Sequence, residues 1–221
     1  MAGYDIIDKV KASLENLCPA TVSCADIIAL VARDAVSQQF GKDLWEVFTG
    51  RKDGNTSIAK EALDNLPSPA ATFEDLAASF HEKGLNKMDL DILSGAHTIG
   101  MAPCSTIATR LMPVTDPTLD QGFAESLKEL CNRGQNNVSF GTPRFDNQYY
   151  SQLLAHRGVL RSDASLLEDT ESLHLVGLLS RGEDTFLKNF GAAMQKMGGI
   201  GVLVGSDGGV RTNCIGVQLL S

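Results

Sequence analysis

The chain has 221 residues, 43% of them hydrophobic, and carries a formal net charge of -8. That is enough apolar material for a sizeable core in one domain. The excess of acids excludes the basic patch that a nucleic acid or an anionic membrane surface would demand. No apolar run approaches the roughly 18–20 residues of a membrane span, and the start, Met1-Ala2-Gly3-Tyr4-Asp5, lacks the basic-then-apolar order of a signal peptide.

Residues 4–17 place Ile6, Ile7, Val10, Leu14 and Leu17 at helical spacing, and Pro19 stops that helix. Ser23 is positioned to cap the next one, which carries Ile27, Ile28, Leu30 and Val31 up to Gly41. Asp26 lies in its first turn, where a carboxylate suits the helix dipole, but among apolar neighbours that favour a buried ion pair. From Gly41 to Gly54 the period breaks, and Trp45, Val47 and Thr49 alternate as in a short extended segment. After Pro67 and Pro69, Thr72 and Asp75 form a capping box for a helix through Leu76 and Phe80, closed by Gly84. Asn86 starts the helix through Leu90, Ile92 and Leu93 that runs into His97. Further helices are expected over 105–112, around Phe123–Leu130, from Tyr149 to Leu154, over 166–179 and over 184–197, with Gly198 capping the last. The tail has one alternating stretch, 200–204. With no repeats and no low-complexity linker, the expectation is one domain over residues 1–221, all-α in the sense of mainly α-helical.

Five cysteines, Cys18, Cys24, Cys104, Cys131 and Cys214, are scattered rather than set in C-x-x-C pairs, so zinc is disfavoured and long-range disulfides in an oxidising compartment are expected. The odd number leaves one cysteine over. Two sequons, Asn55-Thr-Ser57 and Asn137-Val-Ser139, lean the same way. Such a composition without a secretion signal suggests that the sequence lacks an N-terminal part.

Of the four histidines, His81 sits among charged neighbours as a surface residue, His156 falls at a helix end where a cation is favourable, and His174 reads as partly buried in a leucine-rich helix. His97 stands apart because Gly95, Ala96 and Gly100 leave room for something large beside the backbone. Spacing alone still favours a structural histidine there. The glycines of 199–205 lack dinucleotide-loop spacing, Ser94 is not in a nucleophile elbow, and the acids show no calcium-loop order.

Cys18-Pro-Ala-Thr-Val-Ser-Cys24-Ala-Asp26-Ile-Ile-Ala-Leu resembles a signature of the class III plant secretory peroxidases. The same family pattern continues, in order, through Trp45-x-Val47 with Gly50-Arg-Lys-Asp53, Asn65-Leu-Pro67, Leu93-Ser-Gly-Ala-His97-Thr-Ile-Gly100, Thr142-Pro143 with Phe145-Asp-Asn147-x-Tyr149-Tyr150, Ser162-Asp163, and Ala193-Met-x-Lys-Met-Gly198. The matches run along essentially the whole chain.

The resemblance implies a mainly helical haem-peroxidase fold and roles position by position. His97 is similar to the axial ligand of haem b, and Asp163 to the carboxylate that accepts its second ring N–H and makes the imidazole more electron-donating. Thr98, Thr142 and Asp146 resemble ligands of a calcium site, with Ser139 standing where the family has an aspartate, which predicts weaker calcium. Pro67 resembles the residue beside aromatic substrates. Asp26 and Arg51 resemble a buried ion pair. The implied disulfides are Cys24–Cys214 and Cys104–Cys131, which leaves Cys18 as a free thiol.

The implied activity is reduction of hydrogen peroxide coupled to one-electron oxidation of phenolic donors, by a monomer in an extracellular or vacuolar setting with no nucleic-acid or membrane partner. The family's R-x-x-F-H-D-C motif, which carries the distal histidine and arginine, is not found in these residues. The expectation is therefore a fold without its N-terminal distal helices and a chain of low activity. The alternative is a non-catalytic haem-binding or purely structural helical fragment, or an incomplete gene model.

Overall fold

The computed structural model describes residues 3–139, 141 and 143–215. Eleven α-helices dominate it. They are α1 (Tyr4–Leu17), α2 (Cys24–Ser37), α3 (Ala59–Asn65), α4 (Phe73–Glu82), α5 (Lys87–Ser94), α6 (Cys104–Leu111), α7 (Gln121–Asn132), α8 (Gln148–Leu154), α9 (Arg161–Ser165), α10 (Thr170–Leu179) and α11 (Glu183–Met197). The fold is thus mainly α-helical. Among the described residues one sheet, without a signal in the sequence, pairs β1 (Met101–Pro103) antiparallel with β2 (Asn137–Ser139), Ala102 opposite Val138.

Helix starts follow the caps. Ser23 accepts the Asp26 amide, Thr72 and Asp75 close a reciprocal box at α4, and Asn86 and Asp89 do the same at α5. The helix expected over 166–179 starts only at Thr170, because the Asp169 carboxylate caps there by accepting the amides of Glu171 and Ser172. The preceding short α9 is set by Asp163, whose Oδ2 accepts the Leu160 amide at 2.9 Å. Neither alternating stretch becomes a ladder. Instead, isolated bridges join Lys52 to Leu203 and Asp53 to Gly209.

The chain divides into two compact units, one of residues up to Leu66 together with those from Met194, the other from Pro67 to Ala193. In the first, Cys24 is joined to Cys214 across 190 residues of sequence. Asp53 accepts the Cys24 and Ala25 amides that open α2, at 3.0 and 2.9 Å, and the Arg211 amide at 2.9 Å. Asp26 accepts the Gly50 amide at 2.7 Å and Arg51 Nη1 at 3.2 Å, while Arg51 Nη2 donates to the Gly198 carbonyl at 2.8 Å. The apolar stripe of α1 is not buried: Ile6 is 58% and Leu17 82% exposed. Cys18 makes no disulfide, and its thiol donates to the Leu14 carbonyl at 3.4 Å.

The second unit holds two apolar centres. Around the small sheet, Ala102, Ile107, Leu111, Ala124, Leu127 and Val138 pack together, and Cys104–Cys131 ties the start of α6 to the end of α7. Arg110 is buried among them without loss, since its guanidinium donates to Asp116 and to the carbonyls of Val159 and Leu160. The other centre is aromatic: Phe145, Tyr150, Phe186 and Phe190 stack or meet edge to face at centroid distances of 4.9–5.6 Å.

Candidate functional site

His97 lies in a 3-10 turn, Gly95–Thr98, that continues directly from α5. The glycine before it does not provide open space, contrary to the expectation from sequence. A Cβ at Gly95 would meet the Tyr150 hydroxyl at 2.5 Å and Phe186 Cε2 at 2.6 Å. The small residue is required by the aromatic core behind the turn, and the imaginable approach from that side is already filled.

On its other side the imidazole is 37% exposed, and Nδ1 lies 2.8 Å from Oδ1 of Asp163. Asp163 is 2% exposed. Its Oδ1 also accepts the Tyr149 hydroxyl at 3.0 Å, and its Oδ2 the Leu160 amide. Three donors therefore hold one buried carboxylate, which offsets the cost of burying its charge and fixes its angle to the ring. Burial disfavours a charged imidazole, but the hydrogen bond and negative charge of Asp163 outweigh it, and the His97 pKa is raised above its ordinary value. Burial, together with the charge of Asp163, pushes the Tyr149 hydroxyl far upward, so it remains a donor.

A cavity of about 230 Å³ opens over the ring. It is lined by Leu76, Phe80, Leu90, Leu93 and Leu160, together with Pro67 and the serines Ser68, Ser94 and Ser162. The Ser162 amide donates to the Pro69 carbonyl at 3.0 Å, which ties the proline loop to α9. His97 is the one ionisable side chain lining this cavity among the described residues. An imidazole oriented by a carboxylate, in apolar walls, is a donor set that suits the axial side of a flat, apolar iron macrocycle. The volume lies below the roughly 300–1,000 Å³ of enclosing ligand sites. These residues thus fit one face of such a group rather than its whole.

The neighbouring positions are also brought together in part. Thr98 Oγ1 donates to Asp146 Oδ1 at 2.9 Å, and both residues are buried. The same oxygen accepts the Gln148 amide. Ser139 turns its hydroxyl to the Gly141 carbonyl at 2.8 Å, and Gly141 lies so close to the Thr98 carbonyl that a Cβ would come within 2.6 Å of it. Thr142 lies outside the described residues. Among the described residues no group of three or more His, Cys, Asp or Glu side chains is poised around a cation. One carboxylate already engaged in two hydrogen bonds is a poor donor set for calcium, which favours several oxygen ligands.

His97 and Asp163, 66 residues apart in sequence, are brought together inside a mainly helical fold. The sequence profile of the family described as Peroxidase matches residues 1–181. The chain belongs to the peroxidase family. It is similar to Peroxidase 24 of Arabidopsis thaliana, 43% identical over 230 residues, covering 97% of this chain and 65% of that relative. Peroxidase 56 of the same plant is 45% identical, with 97% and 68% covered. Peroxidase 5 of Vitis vinifera is 40% identical, again with 97% and 68% covered. These relatives place it among the class III plant peroxidases, and it spans about two thirds of their length.

Three contributors to this candidate site had no role assigned to them by the sequence. Tyr149 stands in the family motif Phe145-Asp-Asn147-x-Tyr149-Tyr150, but nothing in the sequence marked its hydroxyl as a partner of Asp163. The Leu160 amide carries no side-chain signal at all. The wall from α4, Leu76 and Phe80, becomes part of the site only through packing. The remaining histidines are elsewhere: His81, His156 and also His174, expected to be partly buried, are exposed. His174 points outward because Ser172, Val176 and Leu179 take the buried face of α10.

Proposed function

We propose that this chain supplies the iron-holding side of a haem peroxidase that reduces hydrogen peroxide and oxidises phenolic donors one electron at a time. The observation that carries the reading is the 2.8 Å contact between His97 and the buried, triply hydrogen-bonded Asp163, set at the floor of an apolar cavity. His97 would hold haem iron through Nε2. When bound, haem supplies the redox centre at which peroxide is reduced and the electrons of donors are received. Asp163 keeps the proton on Nδ1, fixes the tautomer and makes the imidazole a stronger electron donor. Tyr149 and the Leu160 amide keep the carboxylate from turning away. Pro67, which lines the cavity, is the residue beside which an aromatic donor would lie.

No second acid or base lines this cavity among the described residues. Positioned acid–base groups contribute about 10²–10⁴-fold to such proton movements. The 221-residue chain by itself is therefore a slow catalyst. Calcium, with Ser139 in place of a carboxylate and Asp146 already engaged, binds weakly. An extracellular or vacuolar location is supported by the two disulfides, and no helix among the described residues is long and apolar enough to cross a membrane.

The test is a haem titration of the purified chain followed at the Soret band, with peroxide-dependent guaiacol oxidation measured in parallel. His97→Ala should abolish the shifted band, and Asp163→Asn should weaken haem about 10–100-fold and raise the iron reduction potential. Binding unaffected by His97→Ala would return the chain to the reading of a helical protein without haem. A turnover equal to that of the longer relatives would overturn the expectation of slow catalysis.

A further inference from the structure

One buried acid plays no part in the site just described. Asp91 lies on α5, three residues before Ser94 and the His97 turn, and is 1% exposed. Its carboxyl faces α10, where the Ser172 hydroxyl oxygen stands 2.8 Å from Oδ1 and 2.8 Å from Oδ2. A serine hydroxyl has one hydrogen to donate. An ionised carboxylate in this place would have one oxygen served and the other left buried without a donor, which disfavours the charge. A protonated carboxyl removes the conflict. Its own O–H donates to Ser172 Oγ while the serine O–H donates to its other oxygen, which closes a ring at the two equal distances.

We propose that Asp91 is a neutral buried acid that locks α5 to α10 through Ser172, and that its ionisation opens this lock. The backbone around it extends the effect toward the site. The Tyr150 hydroxyl stands 3.1 Å from the Asp91 carbonyl oxygen and 3.3 Å from that of Ile92, its one hydrogen shared between them. Tyr150 meets Tyr149 edge to face at 5.1 Å, and Tyr149 is the donor to Asp163. Loosening α5 would thus disturb both the turn that carries His97 and the tyrosine that holds its carboxylate partner.

Ionisable groups act on Asp91 from each neighbouring element. Asp169, at the cap of α10, opposes its ionisation, whereas Lys87 on α5 favours it. Lys87 is itself engaged with Asp169 at 2.8 Å and is further influenced by Glu171. On α8, the hydroxyls of Tyr150 and Tyr149 are buried and neutral and feel the charge of Asp91. The ionisable side chains of α4, Glu74, Asp75, His81 and Glu82, are exposed, as is His174 on α10. Burial is the largest influence, against the lowering effect of the Ser172 hydrogen bond, and the Asp91 pKa is pushed from 3.8 up to about 7.

The sign follows from linkage. The folded chain keeps this proton to a higher pH than the unfolded chain does, so the stabilisation is complete below pH 3.8, falls as pH rises toward about 7, and is absent above. The unfolding equilibrium should change on the order of 10²–10³-fold across that window from this group alone.

The experiment compares urea unfolding of the whole chain and of Asp91→Asn at pH 5 and pH 8. The amide of Asp91→Asn can make both bonds to Ser172 without a charge, so the variant should keep its stability at pH 8, and the difference between the two proteins should grow about 10²-fold from pH 5 to pH 8. Infrared spectra of the unmutated chain, labelled with 13C-aspartate, should show the carbonyl stretch of a protonated carboxylic acid at pH 5.5 that fades by pH 8.5. A variant with the same pH profile as the parent overturns the proposal. So does the lack of that stretch at pH 5.5, which is decisive even where the variant fails to fold.

Discussion

The two compact units solve the same problem, covering apolar surface, to different extents. From Pro67 to Ala193 the helices close around two apolar centres, and large side chains such as Phe145, Tyr150, Phe186 and Leu179 are fully buried. In the other unit only Cys24, Ile27 and Trp45 are buried apolar side chains among the described residues. Ile6, Leu17, Ile28 and Phe48 there remain exposed. That unit is held instead by polar and covalent links: a disulfide, the Asp26–Arg51 pair and the Asp53 carboxylate at the start of α2. The lesson is that a strong amphipathic pattern, as on α1, fixes a helix but not its burial. A buried face needs a partner face.

Substitutions sharpen this contrast. The largest loss is expected from Phe186→Ala, which removes a fully buried ring packed on three others and should cost about 3–5 kcal/mol in urea unfolding. A loss under 1 kcal/mol would show that the aromatic centre is not the source of that unit's stability. Next comes Arg51→Ala. It strands Asp26, a buried carboxylate, and frees the Gly198 carbonyl, for a cost of about 3 kcal/mol, the lower end for broken buried pairs because the arginine keeps some contact with water. Partial rescue by Asp26→Asn in the Arg51→Ala background would identify the unpaired charge as the cause. The smallest effect belongs to Ile6→Ala, within about 0.5 kcal/mol, as for other exposed positions. A cost above 1 kcal/mol would break the comparison, since it would mean that this face is covered in solution.

Much of the helical layout was legible because caps and periodicity are local. Ser23, Thr72 with Asp75, and Asn86 mark helix starts whatever lies around them, and each does so in the structure. Where local signals compete, the stronger cap decides the boundary. The leucines of 166–167 suggested an earlier start to α10, but the Asp169 cap decided it. The strands β1 and β2 went unseen because three residues are too few for a periodic signal and their pairing is 36 positions apart in register, Ala102 to Val138.

By itself the sequence determined the family and the mainly helical class and singled out His97 and Asp163, because capping, periodicity and motif spacing are properties of short stretches. Only the tertiary structure decided which of those residues act together. His97 gained Asp163, Tyr149 and an apolar roof from helices far apart in the chain. Gly95 proved to be a packing requirement rather than an opening. Asp91, one more polar position in a helical pattern, became a buried acid. Each of these outcomes depends on what lies opposite a side chain, and that is set by how distant segments pack.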